Sequence, residues 1–235
     1  MIELYQFKPA LGLPNASPFC MKAEAYLLYR DIPYTIVPTS PRQSPSGKLP
    51  YIRDDGKLIT DSEAIMDHCE ATQPAPLDSD LSDKQRAESH MLRLWVEQNL
   101  FWQIVYTRWA DPVGWGAFKP ILSANMPRLI GGPLIMMIRR KLLQQLRSRG
   151  LNPHDPNAAY ARGRAQLDVL ARFLGEEGFA FGPTPSRLDM TLYAFIANVV
   201  EQDQPNELRD YARTLARLNR YCADMHALSF AKAAA

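Results

Sequence analysis

Gly47-Lys48-Leu49-Pro50-Tyr51-Ile52 and, a few residues later, Thr60-Asp61-Ser62-Glu63-Ala64-Ile65 decide the fold of this 235-residue chain. In the first segment a proline stands where a short strand begins; proline cannot donate to a sheet, and in tight turns its peptide bond is often cis. In the second, Asp61 and Ser62 stand where a helix begins. A helix N-terminus offers free N–H groups and a positive dipole end, which suits a carboxylate. Together the segments predict a site for a small peptide-like ligand.

The first 75 residues alternate between strand and helix patterns. The predicted elements are, in chain order, a strand at 2–7, a helix at 18–30, strands at 34–37, 51–53 and 58–60, and a helix from 62 to about 71. Ser17 and Pro18 favour a helix start, because serine caps a helix and proline fits its first position. Asp54-Asp55-Gly56-Lys57 is typical of a hairpin turn. The order β-α-β-β-β-α, with one crossover helix and a terminal hairpin, is the thioredoxin-like arrangement.

The remainder of the chain carries a helical pattern. Gln73-Pro74-Ala75-Pro76-Leu77-Asp78 is typical of a linker, since proline interrupts helices and strands alike. Ser82-Asp83-Lys84-Gln85 predicts a capping box that opens a long helix toward Trp109. A stretch rich in proline and glycine, residues 111–133, interrupts the pattern. Further helices are predicted at 134–149, 156–176, 187–202 and 207–228. The predicted fold class is α/β plus all-α: a thioredoxin-like N-terminal domain, residues 1–75, followed by an all-helical C-terminal domain, residues 76–235.

Composition excludes several classes of protein. With 46% apolar and 22% charged residues the chain has an ordinary globular composition, and a net charge of +2 without a long basic run argues against nucleic acid as a partner. Its start has no signal-peptide pattern, and its most apolar run, residues 129–138, is too short to span a membrane. Three cysteines and four histidines are widely spaced, which predicts neither a disulfide framework nor a metal site. We therefore expect a cytoplasmic protein without a membrane partner.

Two motifs resemble the glutathione transferase superfamily. Residues 44–65 are similar to the family's glutathione segment, and Phe181-Gly182-Pro183-Thr184-Pro185-Ser186-Arg187-Leu188-Asp189 is similar to its helical-domain capping motif. Residues 17–22 and 108–111 resemble most the branch that contains failed-axon-connections and metaxin-like proteins. The resemblance covers essentially the whole chain. It implies glutathione as co-substrate without a metal, a small apolar electrophile as the second substrate, a role in detoxification, and a homodimer.

The resemblance also assigns each end of glutathione to residues of this sequence. The main chain of Leu49, before Pro50, would pair with the tripeptide, and a cis bond there would turn both polar groups of Leu49 toward it. Asp61 and Ser62 would hold the γ-glutamyl end, and Lys48 would neutralise the glycine carboxylate. We call these five residues the glutathione cradle. The alternatives are a proline that merely begins a strand, a Ser62 that is a plain helix cap, and a solvated lysine.

Catalysis requires that the thiol of glutathione lose its proton. A thiol with a pKa of about 8.5 is only ~3% ionised at pH 7, and lowering that pKa by ~2 units requires about 2.7 kcal/mol. A helix N-terminus supplies about 0.3–1 kcal/mol, and a hydroxyl hydrogen bond to a charged acceptor about 1.5–3 kcal/mol. One hydroxyl at the start of the first helix is therefore enough, and Ser17 is the predicted catalytic residue.

Ser17 has alternatives nearby. It occupies the place of the redox cysteine in Cys-Pro-Phe/Tyr members of the family, and a hydroxyl there cannot form a mixed disulfide; it is equally compatible with a simple helix cap. Asn15 and Tyr5 are reserve candidates, because some family members use Asn or Tyr nearby. Cys20, a third reserve, is placed like the second cysteine of a Cys-x-x-Cys pair, although the role of a small buried apolar residue fits it better.

The electrophile would bind between the two domains. Tyr106 and Trp109, within a group of aromatic residues, are the candidates to line an apolar pocket, although aromatics at helical spacing are more often core. The predicted function is conjugation of glutathione to an apolar electrophile, or thiol-dependent reduction of a peroxide. The alternatives are a non-catalytic adaptor of the same fold that binds proteins, and a glutaredoxin-like oxidoreductase that uses Cys20.

Overall fold

A computed structural model describes residues 1–124 and 131–233 and contains one mixed four-stranded sheet. The strands are β1 (Ile2–Gln6), β2 (Tyr34–Pro38), β3 (Tyr51–Asp54) and β4 (Lys57–Thr60). Their spatial order is β2-β1-β3-β4, with β1 and β2 parallel and the other pairs antiparallel. Two helices, α1 (Pro18–Tyr29) and α2 (Ser62–Glu70), follow β1 and β4. The predicted thioredoxin-like order is therefore confirmed.

The register of the sheet separates an apolar face from a mixed one. Leu4 is paired with Ile52, and Ile52 with Ile59, so the three side chains share the face that packs on α1 and α2. On the opposite face Tyr5 pairs with Tyr51, and their rings stack with centroids 4.3 Å apart. The face opposite the two helices therefore carries polar and aromatic groups close to the predicted ligand site.

The second part of the chain is helical, as predicted. Its helices are α3 (Asp83–Gln98), α4 (Leu100–Val105), α5 (Pro112–Ala124), α6 (Gly131–Ser148), α7 (Pro156–Phe173), α8 (Arg187–Val200), α9 (Glu207–Thr214), α10 (Ala216–Leu228) and α11 (Phe230–Ala233). Helix α8 is the central one, because every residue from Leu188 to Val200 is buried. It packs against α1, α3 and α10. No helix in residues 1–124 and 131–233 is long and apolar enough to cross a membrane.

The predicted long helix toward Trp109 is interrupted. It breaks at Asn99, whose side-chain Nδ2 donates to the carbonyl oxygen of Trp95 at 2.9 Å, and a new helix begins at Leu100. A π-helical turn, Tyr106–Ala110, then widens the backbone before α5. Wide turns of this type are common at functional sites. Hydrophobic spacing alone could not reveal either change, because the apolar pattern continues through both.

Other predicted boundaries also change. The stretch 111–133 was expected to lack regular structure, but α5 occupies its first part because Asp111 Oδ1 accepts the N–H of Gly114 at 2.7 Å and starts the helix. The helix predicted from 134 begins at Gly131, and residues 125–130 lie outside the described part. The last long helix splits at Leu215, whose ψ of 86° is not helical.

A buried ion cluster joins the two parts of the chain. Lys22, which is fully buried in α1, places its Nζ 2.6 Å from Glu63 Oε2 and 2.9 Å from Glu97 Oε1. Arg187 Nη2, at the start of α8, lies 2.8 Å from Glu63 Oε1. We call Lys22, Glu63, Glu97 and Arg187 the interdomain ion cluster. It ties α1 and α2 to α3 and α8 through charges that are mostly removed from solvent.

Candidate functional site

The loop before β3 presents main-chain groups that have no partner. The Leu49–Pro50 peptide bond is cis, as predicted, and Leu49 is buried. Its N–H and carbonyl make no hydrogen bond with any residue of the described part of the chain. Buried main-chain groups are nearly always paired, so two free groups side by side suit an extended peptide. Lys48 is exposed and has no ion pair with the described residues, which leaves its ammonium group available to an acid.

Helix α2 begins at Ser62, as predicted, and its start excludes the alternative that Ser62 is a plain helix cap. Asp61, not Ser62, is the N-cap: its φ is +82°, and its Oδ1 accepts the N–H groups of Glu63 at 2.9 Å and Ala64 at 3.5 Å. Ser62 is instead the first helical residue. Its hydroxyl makes no hydrogen bond with the described residues and is not sealed from solvent. A free hydroxyl at a helix N-terminus is a good acid-binding arrangement, because the dipole adds to the hydrogen bond.

Ser17 caps α1, which is the alternative role that the sequence allowed. Its Oγ accepts the N–H of Cys20 at 3.4 Å, a long bond, and its own N–H donates to Asn15 Oδ1 at 3.0 Å. Ser17 is half-buried. Capping uses a lone pair of the hydroxyl oxygen, so the hydroxyl proton remains able to donate to a thiolate. Both predicted roles of Ser17 are therefore compatible with the structure.

The reserve candidates at the same loop are engaged elsewhere. Asn15 is fully buried, its Nδ2 donates to the carbonyl of Phe7 at 2.9 Å, and its Oδ1 is used by Ser17. Both ends of this amide hold the loop. The hydroxyl of Tyr5 donates to Glu3 Oε2 at 2.9 Å, and desolvation together with this bond raises the pKa of Tyr5. A raised pKa keeps the phenol neutral and its proton committed to Glu3.

Cys20 is a core residue. Its side chain is fully buried beside Leu49 and Tyr51. Burial raises the pKa of its thiol to about 12, although hydrogen bonds from Ser17 and from the main chain of Phe7 act in the opposite direction. The reactive form of cysteine is the thiolate, so this thiol is inert at neutral pH.

The two candidates for the electrophile pocket have different positions. Tyr106 is almost fully buried, its ring meets Tyr160 edge to face at 5.7 Å, and burial raises its pKa to about 12. It points into the core because helical spacing places aromatics on the inner face. Trp109 is half-buried and its ring stacks on Trp115 at 5.6 Å. Of the two candidates, Trp109 is therefore the more accessible to a ligand.

Trp109 belongs to a small apolar cluster that the sequence did not indicate. The cluster contains Leu11, Leu13 and Phe118, and Trp109 and Ala16 pack against it. Ala16 directly precedes Ser17, so this buried apolar cluster adjoins the start of α1. The two leucines lie in an irregular loop, where neither helical nor strand spacing could identify them.

Arg108 also lies at the site, and the sequence assigned it no role. It is buried in the π-helical turn; its Nη1 donates to the carbonyl of Ala16, and its Nη2 donates to Asn198 Oδ1 at 2.9 Å and to the Asn198 carbonyl at 3.2 Å. Burial lowers the pKa of its guanidinium to about 9. The only sequence signal was the resemblance of residues 108–111 to one family branch.

A charged cleft of about 580 Å³ lies between α2, α3, the linker and the start of α8, and Glu63, which follows Ser62, is part of its lining. Its cationic side chains are already bonded: Arg86 to Asp83, Arg93 to Glu97 and Arg187 to Glu63. It is therefore a poor match for an apolar electrophile. Among residues 1–124 and 131–233, no three His, Cys, Asp or Glu side chains are grouped as metal ligands.

The fold and the site define a thioredoxin-like domain with a cis-proline ligand loop, joined to an all-helical part. Two family models match the chain: the glutathione S-transferase N-terminal domain at residues 18–114 and the glutathione S-transferase C-terminal domain at residues 163–225. The chain belongs to the glutathione transferase superfamily.

Three curated relatives illustrate its range. Isoprene-epoxide–glutathione S-transferase of Rhodococcus sp. strain AD45 is 29% identical, with 94% of this chain and 96% of that protein covered. Failed axon connections of Drosophila melanogaster is 31% identical over 90% of this chain. The alignment covers only about half (53%) of the length of that relative. Metaxin-1 of Mus musculus is 27% identical over 97% of this chain and 75% of its own length. The predicted branch is thus among the relatives.

Solved structures support the same fold. A glutathione S-transferase of Ceriporiopsis subvermispora in complex with glutathione has a TM-score of 0.64, with 17% identity and 97% of both chains covered. The β-etherase LigF of Sphingobium sp. strain SYK-6 has a TM-score of 0.63, with 20% identity, 97% of this chain and 99% of that one covered.

Proposed function

We propose that the protein is an enzyme that binds glutathione in the cradle and transfers it, through its thiol, to a small apolar electrophile. One observation carries the proposal: the main chain of Leu49 and the hydroxyl of Ser62 are both free, at the ligand loop and at a helix N-terminus. A protein that kept the fold only as a binding surface would have no need of unpaired polar groups there.

Each part of glutathione has a partner in this proposal. The cysteinyl N–H and carbonyl pair with the main chain of Leu49, as a strand pairs with its neighbour. The γ-glutamyl carboxylate takes the hydroxyl and N–H of Ser62 and the dipole of α2. Asp61 keeps its capping bonds and turns its second oxygen toward the glutamyl ammonium group. The ammonium of Lys48 faces the glycine carboxylate, an exposed contact that contributes least.

Thiol activation then falls to Ser17, which stabilises the thiolate while the thiol proton leaves to water. Its hydroxyl donates to the sulfur, and the N-terminus of α1 adds its dipole; together they supply roughly the 2.7 kcal/mol that a shift of about 2 pKa units requires. The thiolate attacks an electrophilic carbon held against Trp109, which is half-buried and packs on the apolar cluster beside Ser17. For an epoxide, the C–S bond forms as the C–O bond breaks, and the resulting alkoxide takes a proton from water.

The name of the Rhodococcus relative supports an epoxide as the electrophile, because that protein aligns with nearly the whole of this chain. Reduction of a peroxide by the same thiolate is the nearest variant of this chemistry. The three described cysteines are free and buried, which supports our proposal of a reducing, cytoplasmic location. We also propose a homodimer and a role in detoxification, as the family resemblance implies.

The second candidate is a non-catalytic adaptor, and it rests on the similarity to Failed axon connections and metaxin-1. An adaptor would bind protein partners and would have no need of glutathione. A glutaredoxin-like oxidoreductase is disfavoured by the buried, un-ionised thiol of Cys20 and by the hydroxyl at Ser17.

Calorimetry with glutathione tests the proposal. We expect saturable binding, weakened by about tenfold or more in Ser62→Ala, because that change removes a hydrogen bond to a charged group. The matched control is Ser148→Ala, an exposed serine at the end of α6 whose hydroxyl donates to Gln145. Its affinity should equal that of the wild type. Absence of both heat and a thermal shift at millimolar glutathione would contradict the proposal and favour the adaptor.

A further inference from the structure

Arg108 is a buried charge without a counter-charge. Its guanidinium is bonded to three oxygens, from the Ala16 carbonyl and from the carbonyl and side chain of Asn198, and all three are neutral. Its Nε is also buried and has no hydrogen-bond partner among the described residues. No carboxylate in the described part of the chain lies within ion-pair distance, and burial is the only influence on its pKa.

This arrangement is unfavourable for the protein alone. Moving a guanidinium out of water is costly, and buried charges in proteins are normally paired with an opposite charge. Lys22, another fully buried cation, follows that rule, since it touches both Glu63 and Glu97. The missing anion at Arg108 therefore calls for a functional explanation, and its position supplies one.

Arg108 lies directly behind the residue proposed to bind the sulfur. It holds the carbonyl of Ala16, one residue before Ser17, while Asn198 Nδ2 donates to the carbonyl of Asn15 at 3.4 Å. Arg108 and Asn198 thus support the loop that ends at the start of α1. The π-helical turn makes this contact, because it displaces the backbone of residues 106–110 from the regular helical path.

We propose that Arg108 is a positioning residue whose uncompensated positive charge stabilises the thiolate of glutathione at Ser17 and whose bond to Ala16 holds Ser17 in place. The inference rests on the proposed function, since it requires that glutathione binds. The negative charge that Arg108 lacks is then brought by the ionised co-substrate, and the buried setting lets the charge act over a distance at which water would screen it.

Ionisable groups on the neighbouring elements include Asp203, whose carboxylate lies against Gly12 in the loop before α1. On α1, Cys20 is neutral, because burial raises its pKa to about 12. Glu24 lies further along the same helix; burial raises the pKa of its carboxyl group, and its two oxygens accept bonds from Gln6 and Tyr34. From α8, Asn198 contributes a neutral side chain. Arg108 is thus the charge that favours ionisation of a sulfur at the start of α1.

The test measures the pKa of the bound thiol by its ultraviolet thiolate absorbance in three variants. Arg108→Met, which removes the charge, should raise this pKa by about one unit or more. Arg108→Lys, which keeps the charge, should stay within about half a unit of the wild type. The matched control is Arg217→Met: Arg217 also donates to main-chain carbonyls, of Leu174, Gly175 and Gly178, but beside another loop. Arg217→Met should leave the pKa of the bound thiol unchanged.

Asn198→Asp provides a test that does not depend on deleting the arginine. It sets a carboxylate beside the guanidinium, 2.9 Å from Nη2 in the present geometry, and should raise the pKa of the thiol as Arg108→Met does. If Arg108 has only a structural role, the pKa of the bound thiol should be unchanged in folded Arg108→Met or Asn198→Asp protein. That result would overturn the inference about Arg108 and leave the proposed function standing. If calorimetry detects no glutathione binding even in the wild type, the proposed function fails, and the inference with it.

Discussion

The carboxyl group of Glu201 makes the stability of this protein depend on pH. It lies at the C-terminal end of α8, mostly buried, without a hydrogen-bond or ion-pair partner in residues 1–124 and 131–233. Burial raises its pKa from 4.5 to about 7. The folded protein therefore binds this proton more tightly than the unfolded chain does. The resulting stability is fully present below pH about 4.5 and is lost as the pH rises through about 7.

The size of the effect follows from the shift in pKa. A shift of about 2.5 units, at about 1.36 kcal/mol per unit, corresponds to about 3 kcal/mol. Glu201→Gln replaces the titrating group by a neutral one of the same size. We expect the free energy of unfolding of this variant, relative to the wild type, to increase by about 3 kcal/mol between pH 4.5 and pH 8.

Urea denaturation at several pH values measures this difference directly. Burial raises the carboxyl pKa of Glu24, Asp78 and Asp189 as well, so the pH dependence of the wild type alone is not sufficient. The control is Glu176→Gln, which makes the same substitution at an exposed position. The reasoning about Glu201 is refuted if its variant shows the same difference at pH 4.5 and pH 8.

Two further predictions concern the start of α1. Ser17→Ala should keep glutathione affinity within a few fold and raise the pKa of the bound thiol, as thiolate absorbance would measure; an unchanged titration would mean that Ser17 is only a cap. Lys22→Ala should lower the free energy of unfolding by up to about 3 kcal/mol, because Glu63 and Glu97 lose this partner and keep only Arg187 and Arg93, whereas Lys22→Met with Glu63→Gln and Glu97→Gln should recover part of it, since Arg187 keeps Asp67. Equal losses in the single and triple variants, in urea denaturation, would contradict this account.

Local rules were sufficient for most of the fold. Pro50 at a strand start, the Asp55-Gly56 turn and the Ser17-Pro18 helix start are signals that act over a few residues, and each leads to the predicted element. Both turn residues have a positive φ, 46° and 80°, as a tight hairpin requires. The break at Asn99 was not predictable in the same way, since it depends on a side-chain bond to the preceding turn rather than on spacing.

The site was predictable only where its chemistry is local. Ser62 and Leu49 are identified by their own segment, and the structure leaves both groups free. The burial of Tyr106 was not predictable in this way, because helical spacing indicates which face of the helix a residue occupies but not which neighbour covers it. The position of Arg108 was still harder to predict, because its contacts are with Ala16, 92 positions earlier, and with Asn198, 90 positions later. No pattern in one sequence encodes such a meeting of distant segments.

The interdomain ion cluster has a consequence for how the molecule responds to its ligand. Glu63 follows Ser62 directly, and it shares its carboxylate with Lys22 and Arg187. Separating the two parts of the chain would break the Lys22–Glu97 and Arg187–Glu63 ion pairs, so we expect these contacts to couple the unfolding of one part to that of the other. A small molecule that binds at Ser62 should then stabilise α8 as well as the sheet.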